Sequence, residues 1–276
     1  MVKITVPQPG LFAMKKHPIT WFYILAFGIS WLGMVSAALG SHGIAPFDSP
    51  YVQLLSIFYA VGPALAAVIV TRTADGKTGV QNLLKGLLRW RVGLVWYIVV
   101  LLGALMLLIT AKSITELLGL SATVPTQPVD LSPYVVLGFA VNFFATTCEE
   151  IGWRGFALPQ LQKRHSAFIA TLIVGTLWAF WHLPIVFLVG NPMAEYPFLW
   201  FILIVTNAFI YTWIYNSTQG SILLVALFHG SLNIFGAFIS GVSPIADVLL
   251  NCGVAIILIT VLGKANLSRR KRVCAG

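Results

Sequence analysis

The sequence predicts an all-α polytopic membrane protein of about eight transmembrane helices, and three observations support that fold class. Charged residues make up 9% of the 276 residues and apolar residues 58%, whereas a soluble domain usually carries about 25% charge. Eight apolar stretches are long enough, or nearly so, to cross a bilayer as helices. The basic residues cluster in alternate connections between these stretches. We treat residues 1–276 as one transmembrane domain.

The predicted spans are joined mostly by short connections. They lie at about 19–40, 51–71, 93–111, 133–158, 168–190, 197–217, 220–240 and 244–262. The first span follows Lys15 and Lys16, and its apolar run is too long for a signal-peptide core, so we interpret it as an uncleaved anchor. The connection 72–92 has leucines on one helical face and predicts an interfacial helix. The connection 112–132 contains Pro125 and Pro128.

The distribution of positive charge predicts the orientation of the chain in the membrane. With the N-terminus in the cytoplasm, fifteen of the 17 lysines and arginines fall on the cytoplasmic side, including five in a basic tail at 264–276. Such an excess marks the cytoplasmic side of a membrane protein. We therefore predict that both termini are cytoplasmic and that the bilayer is a partner. The net charge of +9 follows from this asymmetry, so no nucleic-acid partner is expected.

Few ionisable side chains remain at membrane depth, and most of them fall in the fourth, fifth and seventh spans. They are Glu149, Glu150, Arg154, His182, His229 and, near a span end, Asp247. Ionisable groups inside a bilayer are costly and are functional candidates by default. Arg154 follows Glu150 by four residues, which favours an ion pair along a helix. Asn233 follows His229 by the same spacing and shares its helix face.

The rise of a helix places four of these side chains at a common depth. At about 1.5 Å per residue, Glu149 lies roughly 14 Å from the cytoplasmic end of its span and His182 roughly 21 Å into the next. From the same side, His229 lies roughly 14 Å and Asn233 roughly 20 Å deep. All four fall near mid-membrane. The matched depths predict one buried polar site within residues 133–240.

Purely structural roles, with no part in catalysis, would explain some of these residues. Thr147 and Glu150 fit the capping-box pattern Thr-x-x-Glu, with Arg154 pairing Glu150 on a short interfacial helix. A lone histidine in a span is more often a hydrogen-bonded structural residue, and Trp178 is expected to pack. Glu149 alone has no structural role in this scheme, which makes it the strongest catalytic candidate.

The candidate residues suit hydrolysis of an amide bond by water. Glu149 is suited to act as the base and His182 to hold the same water, while His229 and the Asn233 amide face the developing oxyanion. A zinc ion bound by Glu149, His182 and His229 is the competing arrangement, because that set leaves an open position for water. The residues by themselves leave both mechanisms open, so Zn²⁺ is the one cofactor considered.

Three motifs carry a resemblance to a known family. The run Glu149-Glu150-Ile151-Gly152-Trp153-Arg154 resembles the Glu-Glu-x-x-x-Arg motif of the CAAX protease and bacteriocin-processing membrane peptidases. Residues 178–182 resemble their Phe-x-x-x-His motif, with Trp178 in place of Phe, and residues 229–233 resemble their His-x-x-x-Asn motif. By resemblance, Glu149 and His182 activate water, and His229 and Asn233 bind the oxyanion or a metal. Glu150 and Arg154 would then brace the site, and Trp178 would line it.

The resemblance implies an intramembrane endopeptidase, similar to type II CAAX prenyl endopeptidases, that cleaves a membrane-associated peptide or lipidated protein. The short connections resemble bacterial members, which implies a bacterial cytoplasmic membrane. We expect the site to open toward the cytoplasm. Two alternatives remain: a proton-coupled transporter with Glu149 and the histidines as a relay, and a non-catalytic bacteriocin-immunity protein that keeps the fold.

Overall fold

The described part of the chain is helical throughout, which confirms the predicted all-α fold class. The computed structural model describes residues 9–122 and 133–276, and that part contains helices and no strand. In chain order the α-helices are α1 Pro9–Lys16, α2 Pro18–Ser41, α3 Pro50–Gln53, α4 Ile57–Leu84, α5 Leu94–Leu117, α6 Pro133–Glu150, α7 Leu158–Gln162, α8 Ala167–Trp181, α9 Pro197–Ser217, α10 Ile222–Phe238 and α11 Pro244–Leu262. A π-helix, Ile151–Ala157, joins α6 to α7.

Each of the eight predicted spans coincides with one of these helical segments. Six segments of the described residues are long and apolar enough to cross a membrane. They are Pro18–Ser41, Pro50–Leu84, Leu94–Leu117, Ala167–Phe187, Pro197–Ser217 and Pro244–Leu262. The other two predicted spans are α6, which continues into the π-helix and α7, and the 17-residue α10. The predicted connection 112–132 begins too early, because α5 continues to Leu117. Its part with Pro125 and Pro128 lies outside the described residues.

The basic connection after the second span is helical, as predicted. α4 extends to Leu84, but a kink divides it into the span and a second helical part within the connection. Its backbone bends at Gly76, whose φ of 69° and ψ of −159° are not helical. Glycine adopts such a positive φ without steric cost. Leu83 and Leu84 pack against the hydrophobic core beyond the bend.

The two ends of the helical bundle are built from different connections. The basic end comprises the connections 85–93, 163–166 and 218–221 and the tail 264–276. The opposite end comprises the connections 42–49, 182–196 and 239–243. Helix direction alternates between these ends along the chain, so each helix has one half near each end.

The predicted basic tail is docked on the bundle at the basic end. The backbone amide of Ala167, at the start of α8, donates a hydrogen bond of 3.0 Å to the carbonyl of Ala265. Gln162 and Asn216 are fully buried and exchange side-chain hydrogen bonds of 3.1 and 2.9 Å beneath the tail. Leu267 of the tail is also fully buried. The tail therefore covers the basic end of the bundle.

Close packing of the π-helix against α4 depends on Gly152. A Cβ atom at this position would lie 2.6 Å from the Cβ of Pro63 and 2.9 Å from its carbonyl carbon and oxygen. We expect Gly152→Ala to lower the free energy of unfolding by about 1–3 kcal/mol, the usual cost of overpacking. Gly138→Ala in α6 is the matched control, because a Cβ there meets nothing within 4 Å. Thermal unfolding in detergent measures both variants, and equal melting temperatures would contradict this expectation.

Candidate active site

The two adjacent glutamates lie where α6 gives way to the π-helix. Glu149 and Glu150 are the last residues of α6. π-helical turns are rare in proteins, and those that occur are often found at functional sites. The Thr147 hydroxyl donates a 2.6 Å hydrogen bond to the carbonyl of Phe143, one turn back in the same helix. No helix begins at Thr147, so the capping-box interpretation of Thr147 and Glu150 is wrong.

Glu150 belongs to a fully buried charge cluster. Its Oε1 accepts hydrogen bonds from Arg154 Nη1 at 3.1 Å and from His229 Nδ1 at 2.9 Å. The guanidinium carbon of Arg154 also lies 4.5 Å from the ring centroid of Trp178 and 4.6 Å from that of Tyr211. The predicted ion pair between Glu150 and Arg154 is therefore present. It connects the end of α6 to α10 through His229.

Glu149 has different surroundings, because it faces a cavity. Trp178 Nε1 donates a hydrogen bond of 2.8 Å to Glu149 Oε2. His182 Nδ1 lies 2.9 Å from the backbone carbonyl of the same tryptophan. A carbonyl only accepts, so Nδ1 carries the proton and Nε2 of the neutral imidazole is an acceptor. Trp178 thus orients both side chains, which a phenylalanine at this position would not do for Glu149.

The predicted residues converge on a cavity of about 940 Å³. Glu149, Trp178, His182, His229 and Asn233 all line it. The carboxylate of Glu149 is held on its wall by Trp178, whereas the ion pair between Glu150 and Arg154 is buried behind that wall.

His182 lies within the fifth apolar segment, Ala167–Phe187, but at a change of helix type. α8 ends at Trp181, His182 is its C-cap, and a 3₁₀ segment, Leu183–Phe187, follows. A single α-helix over the predicted span 168–190 is therefore wrong, and a uniform α-helical rise does not apply beyond the histidine. The break sets His182 beside Trp181, with ring centroids 4.7 Å apart, at the cavity wall.

A residue of α6 holds the Asn233 side chain in place. Asn233 Nδ2 donates a 3.1 Å hydrogen bond to Asn142 Oδ1, and Asn142 Nδ2 donates a 3.2 Å hydrogen bond to the carbonyl of Gly230. Asn233 is exposed to the cavity. Its amide has a second N–H to offer to a bound molecule. Asn142 lies two helical turns before Glu149. This spacing is the sequence signal that could have identified Asn142 as part of the site.

Sequence reasoning also missed Tyr211 in α9. Its ring centroid lies 5.3 Å from that of His229 and 5.5 Å from that of Trp178, and it lines the cavity. Asn207, one turn earlier, lines the cavity as well. A search restricted to carboxylates, histidines and basic side chains passes over both residues. Their four-residue spacing places both on one helix face, and this was the signal that could have found them.

The zinc alternative finds no ligand set in the described part of the chain. No group of three or more His, Cys, Asp or Glu side chains there is arranged to hold a metal ion. Glu149, His182 and His229 line one cavity, yet they do not form such a group. We therefore derive the chemistry of this site from the protein side chains and water.

Comparisons with known proteins agree with the three sequence motifs. Residues 131–235 match the family model for type II CAAX prenyl endopeptidase Rce1-like proteins. The chain is also 35% identical over 97 residues to CAAX prenyl protease 2 of Methanococcus maripaludis. That match covers 33% of this chain and 36% of the archaeal protein, so the similarity spans about a third of the relative's length. The apolar helices and this match together indicate an integral membrane protein. At residues 131–235 the chain therefore carries a domain of the type II CAAX prenyl endopeptidase Rce1-like family.

Proposed function

We propose that this protein is an intramembrane endopeptidase in which Glu149 activates a water molecule. One observation carries the proposal: Glu149 is only 6% exposed, yet its carboxylate faces a large cavity together with two histidines. Burying an acid that has no salt-bridge partner lowers the stability of a protein, so a purely structural role does not account for Glu149. The matched family and the archaeal relative named as a CAAX prenyl protease support the same reaction class.

In the proposed reaction, Glu149 takes a proton from water while the water oxygen attacks the peptide carbonyl carbon. Trp178 occupies Oε2 of the carboxylate, so Oε1 is the oxygen that accepts the proton. The Nε2 lone pair of His182 accepts the second hydrogen of the water and orients it. Collapse of the tetrahedral intermediate breaks the carbon–nitrogen bond. Glu149 then returns its proton to the leaving nitrogen, so a carboxylic acid and a neutral amine are formed, and the acid gives its remaining proton to the amine after release.

The developing oxyanion would be stabilised by His229 and Asn233. His229 Nδ1 donates to Glu150, so Nε2 carries a proton only in the imidazolium form. The second N–H of the Asn233 amide is the other donor. Preorganised donors of this kind stabilise a transition state most strongly in a site that excludes water.

The substrate class follows from the cavity and the relatives. Leucine and isoleucine side chains from several helices line the wall beyond Glu149, so an apolar peptide segment is the expected ligand. A lipidated peptide is the further proposal that the name of the archaeal relative suggests.

Cleavage by the purified protein tests the proposal. We expect new carboxyl termini, detected by mass spectrometry, when the protein in liposomes is given membrane-anchored peptides, including a prenylated CAAX peptide. Added hydroxylamine should leave the products unchanged, because direct attack by water forms no acyl-enzyme. His229→Ala should abolish cleavage, whereas His165→Ala at the exposed basic end should retain it. A transporter or a non-catalytic immunity protein would form no new termini, and a hydroxamate product would reject the water mechanism.

A further inference from the structure

A second cavity, separate from the one in front of Glu149, lies at the basic end of the bundle. Its volume is about 350 Å³, and it forms where the connection 85–93, the end of α9 and the docked tail meet. Arg89, Arg91 and Arg270 line it, and no acidic side chain of the described residues does. All three arginines are exposed, so the cavity is open to a ligand. We refer to it as the arginine pocket.

Hydrogen bonds hold the three parts of the arginine pocket together. The Arg89 guanidinium donates a hydrogen bond to the backbone carbonyl of Gln219, in the connection that follows α9. The Gln219 amide donates a hydrogen bond of 3.2 Å to the carbonyl of Lys271 in the tail. The Ser217 hydroxyl, at the end of α9, lies 3.0 Å from that of Ser268. Arginines from distant parts of the chain are therefore kept at one place.

The positive charges of the arginine pocket have no counter-charge in the described part of the protein. The ion pairs within residues 9–122 and 133–276 are those that Glu150 forms with Arg154 and His229. Like charges that are brought together repel each other, and a guanidinium has five N–H donors and no acceptor. The pocket is therefore suited to an anion with several oxygen atoms, and a phosphate group matches the fork of N–H donors of an arginine.

The start of α5 lies at the arginine pocket and favours an anion as well. Gly93 lines the pocket and is the N-cap of this 24-residue helix, so no side chain caps the first amides. The free N–H groups and the dipole of a helix N-terminus attract negative charge. The helix start and the three arginines thus select the same ligand chemistry.

The surroundings of the arginine pocket favour the phosphate of a membrane lipid over free phosphate. Leu88, Leu94 and Val95 are exposed apolar residues beside the arginines in the chain. Trp90 is exposed too, and the guanidinium carbon of Arg91 lies 5.0 Å from its ring centroid. Tryptophan is enriched where a membrane protein meets the lipid headgroups. The pocket therefore lies where a headgroup and its own acyl chains would both find partners.

We propose that the arginine pocket binds the phosphate of an anionic phospholipid, with Arg89, Arg91 and Arg270 as its ligands. The bound headgroup supplies the missing counter-charge and joins the connection 85–93 to the docked tail. Its acyl chains lie against the exposed apolar residues at the start of α5. Clusters of lysine and arginine beside transmembrane helices recognise anionic headgroups in this way. The site is separate from the cavity of Glu149, so it does not rest on the proposed function.

Lipid binding by the purified protein in a neutral detergent tests the proposal. We expect native mass spectrometry to detect bound phosphatidylglycerol and weaker binding of zwitterionic phosphatidylcholine. The double variant Arg91→Gln with Arg270→Gln should bind phosphatidylglycerol about 30-fold more weakly, as expected for two arginines near an anionic lipid. The matched control, Arg164→Gln with Arg269→Gln, loses the same charge from exposed positions outside the pocket and should bind like the wild type. Equal binding by the two double variants would overturn the proposal.

Thermal unfolding separates the two sources of the phosphate group. A ligand that binds the folded state raises the melting temperature, so we expect phosphatidylglycerol to raise it and inorganic phosphate at the same concentration to leave it unchanged. An equal rise with inorganic phosphate would overturn the assignment to a lipid, and an equal rise with phosphatidylcholine would overturn the need for an anionic headgroup. If the double variant does not fold, Arg91→Gln and Arg270→Gln are measured singly. Each should weaken phosphatidylglycerol binding about fivefold, and unchanged binding by both would contradict the proposal.

Discussion

Glu149→Gln is expected to abolish peptide cleavage while the protein stays folded. The amide has the shape of the carboxyl group, and its oxygen can still accept the hydrogen bond from Trp178 Nε1 that Glu149 Oε2 accepts. It cannot take a proton from water, so the base of the reaction is lost. General acid–base catalysis contributes about 10²–10⁴-fold to a rate, and we expect kcat to fall by roughly that factor. Initial rates on a membrane-anchored peptide measure the effect.

Glu195→Gln is the matched control for that experiment. Glu195 is exposed in the connection before α9, and it undergoes the same chemical change without touching the cavity. Its cleavage rate and its melting temperature should equal those of the wild type. Unchanged cleavage by Glu149→Gln would remove Glu149 from the mechanism, and an unfolded Glu149→Gln variant would show that the residue is structural.

Arg154→Leu is expected to cause the largest loss of stability. Arg154 and Glu150 are both fully buried and pair at 3.1 Å. The substitution leaves the Glu150 carboxylate with His229 as its partner and removes the guanidinium from between Trp178 and Tyr211. Breaking a buried ion pair from one side usually costs about 3–5 kcal/mol, because the remaining charge stays buried. Chemical unfolding in detergent, monitored by tryptophan fluorescence, measures the change.

Two further variants test whether the loss of stability comes from an unpaired buried charge. Arg164→Leu removes an exposed arginine at the basic end and should change the free energy of unfolding little. The double variant Glu150→Gln with Arg154→Leu removes both charges, so it should be more stable than Arg154→Leu alone. If Arg154→Leu matched Arg164→Leu in stability, the buried cluster would not have the structural importance that its contacts indicate.

The position of the helical segments could be predicted from local sequence. Apolar runs of sufficient length adopt helices in a bilayer because backbone groups must be satisfied within each segment. That requirement is local, so all eight predicted segments coincide with helices. The break at His182 also has a local signal, which the predicted span 168–190 passed over. Pro184 lacks the backbone N–H that an α-helix needs at that position, and α8 ends three residues before it, at Trp181.

The roles of the two glutamates show where sequence reasoning stops. Their adjacency marked one site, and the spacing of Arg154 correctly indicated a partner for Glu150. The capping-box pattern at Thr147 led to a wrong interpretation, because a cap depends on where a helix begins and α6 begins a long way upstream. His229, from a helix 79 residues away, is the second partner of Glu150, and no local pattern specifies that contact.

By itself, the sequence determined a basic, all-helical membrane protein with polar residues inside three of its apolar segments. These properties follow from composition and periodicity, which are local. Only the tertiary structure decided that Glu149 faces a cavity while Glu150 is buried behind its wall. This depends on the rotation of each helix about its axis, which is set by packing between residues distant in the chain.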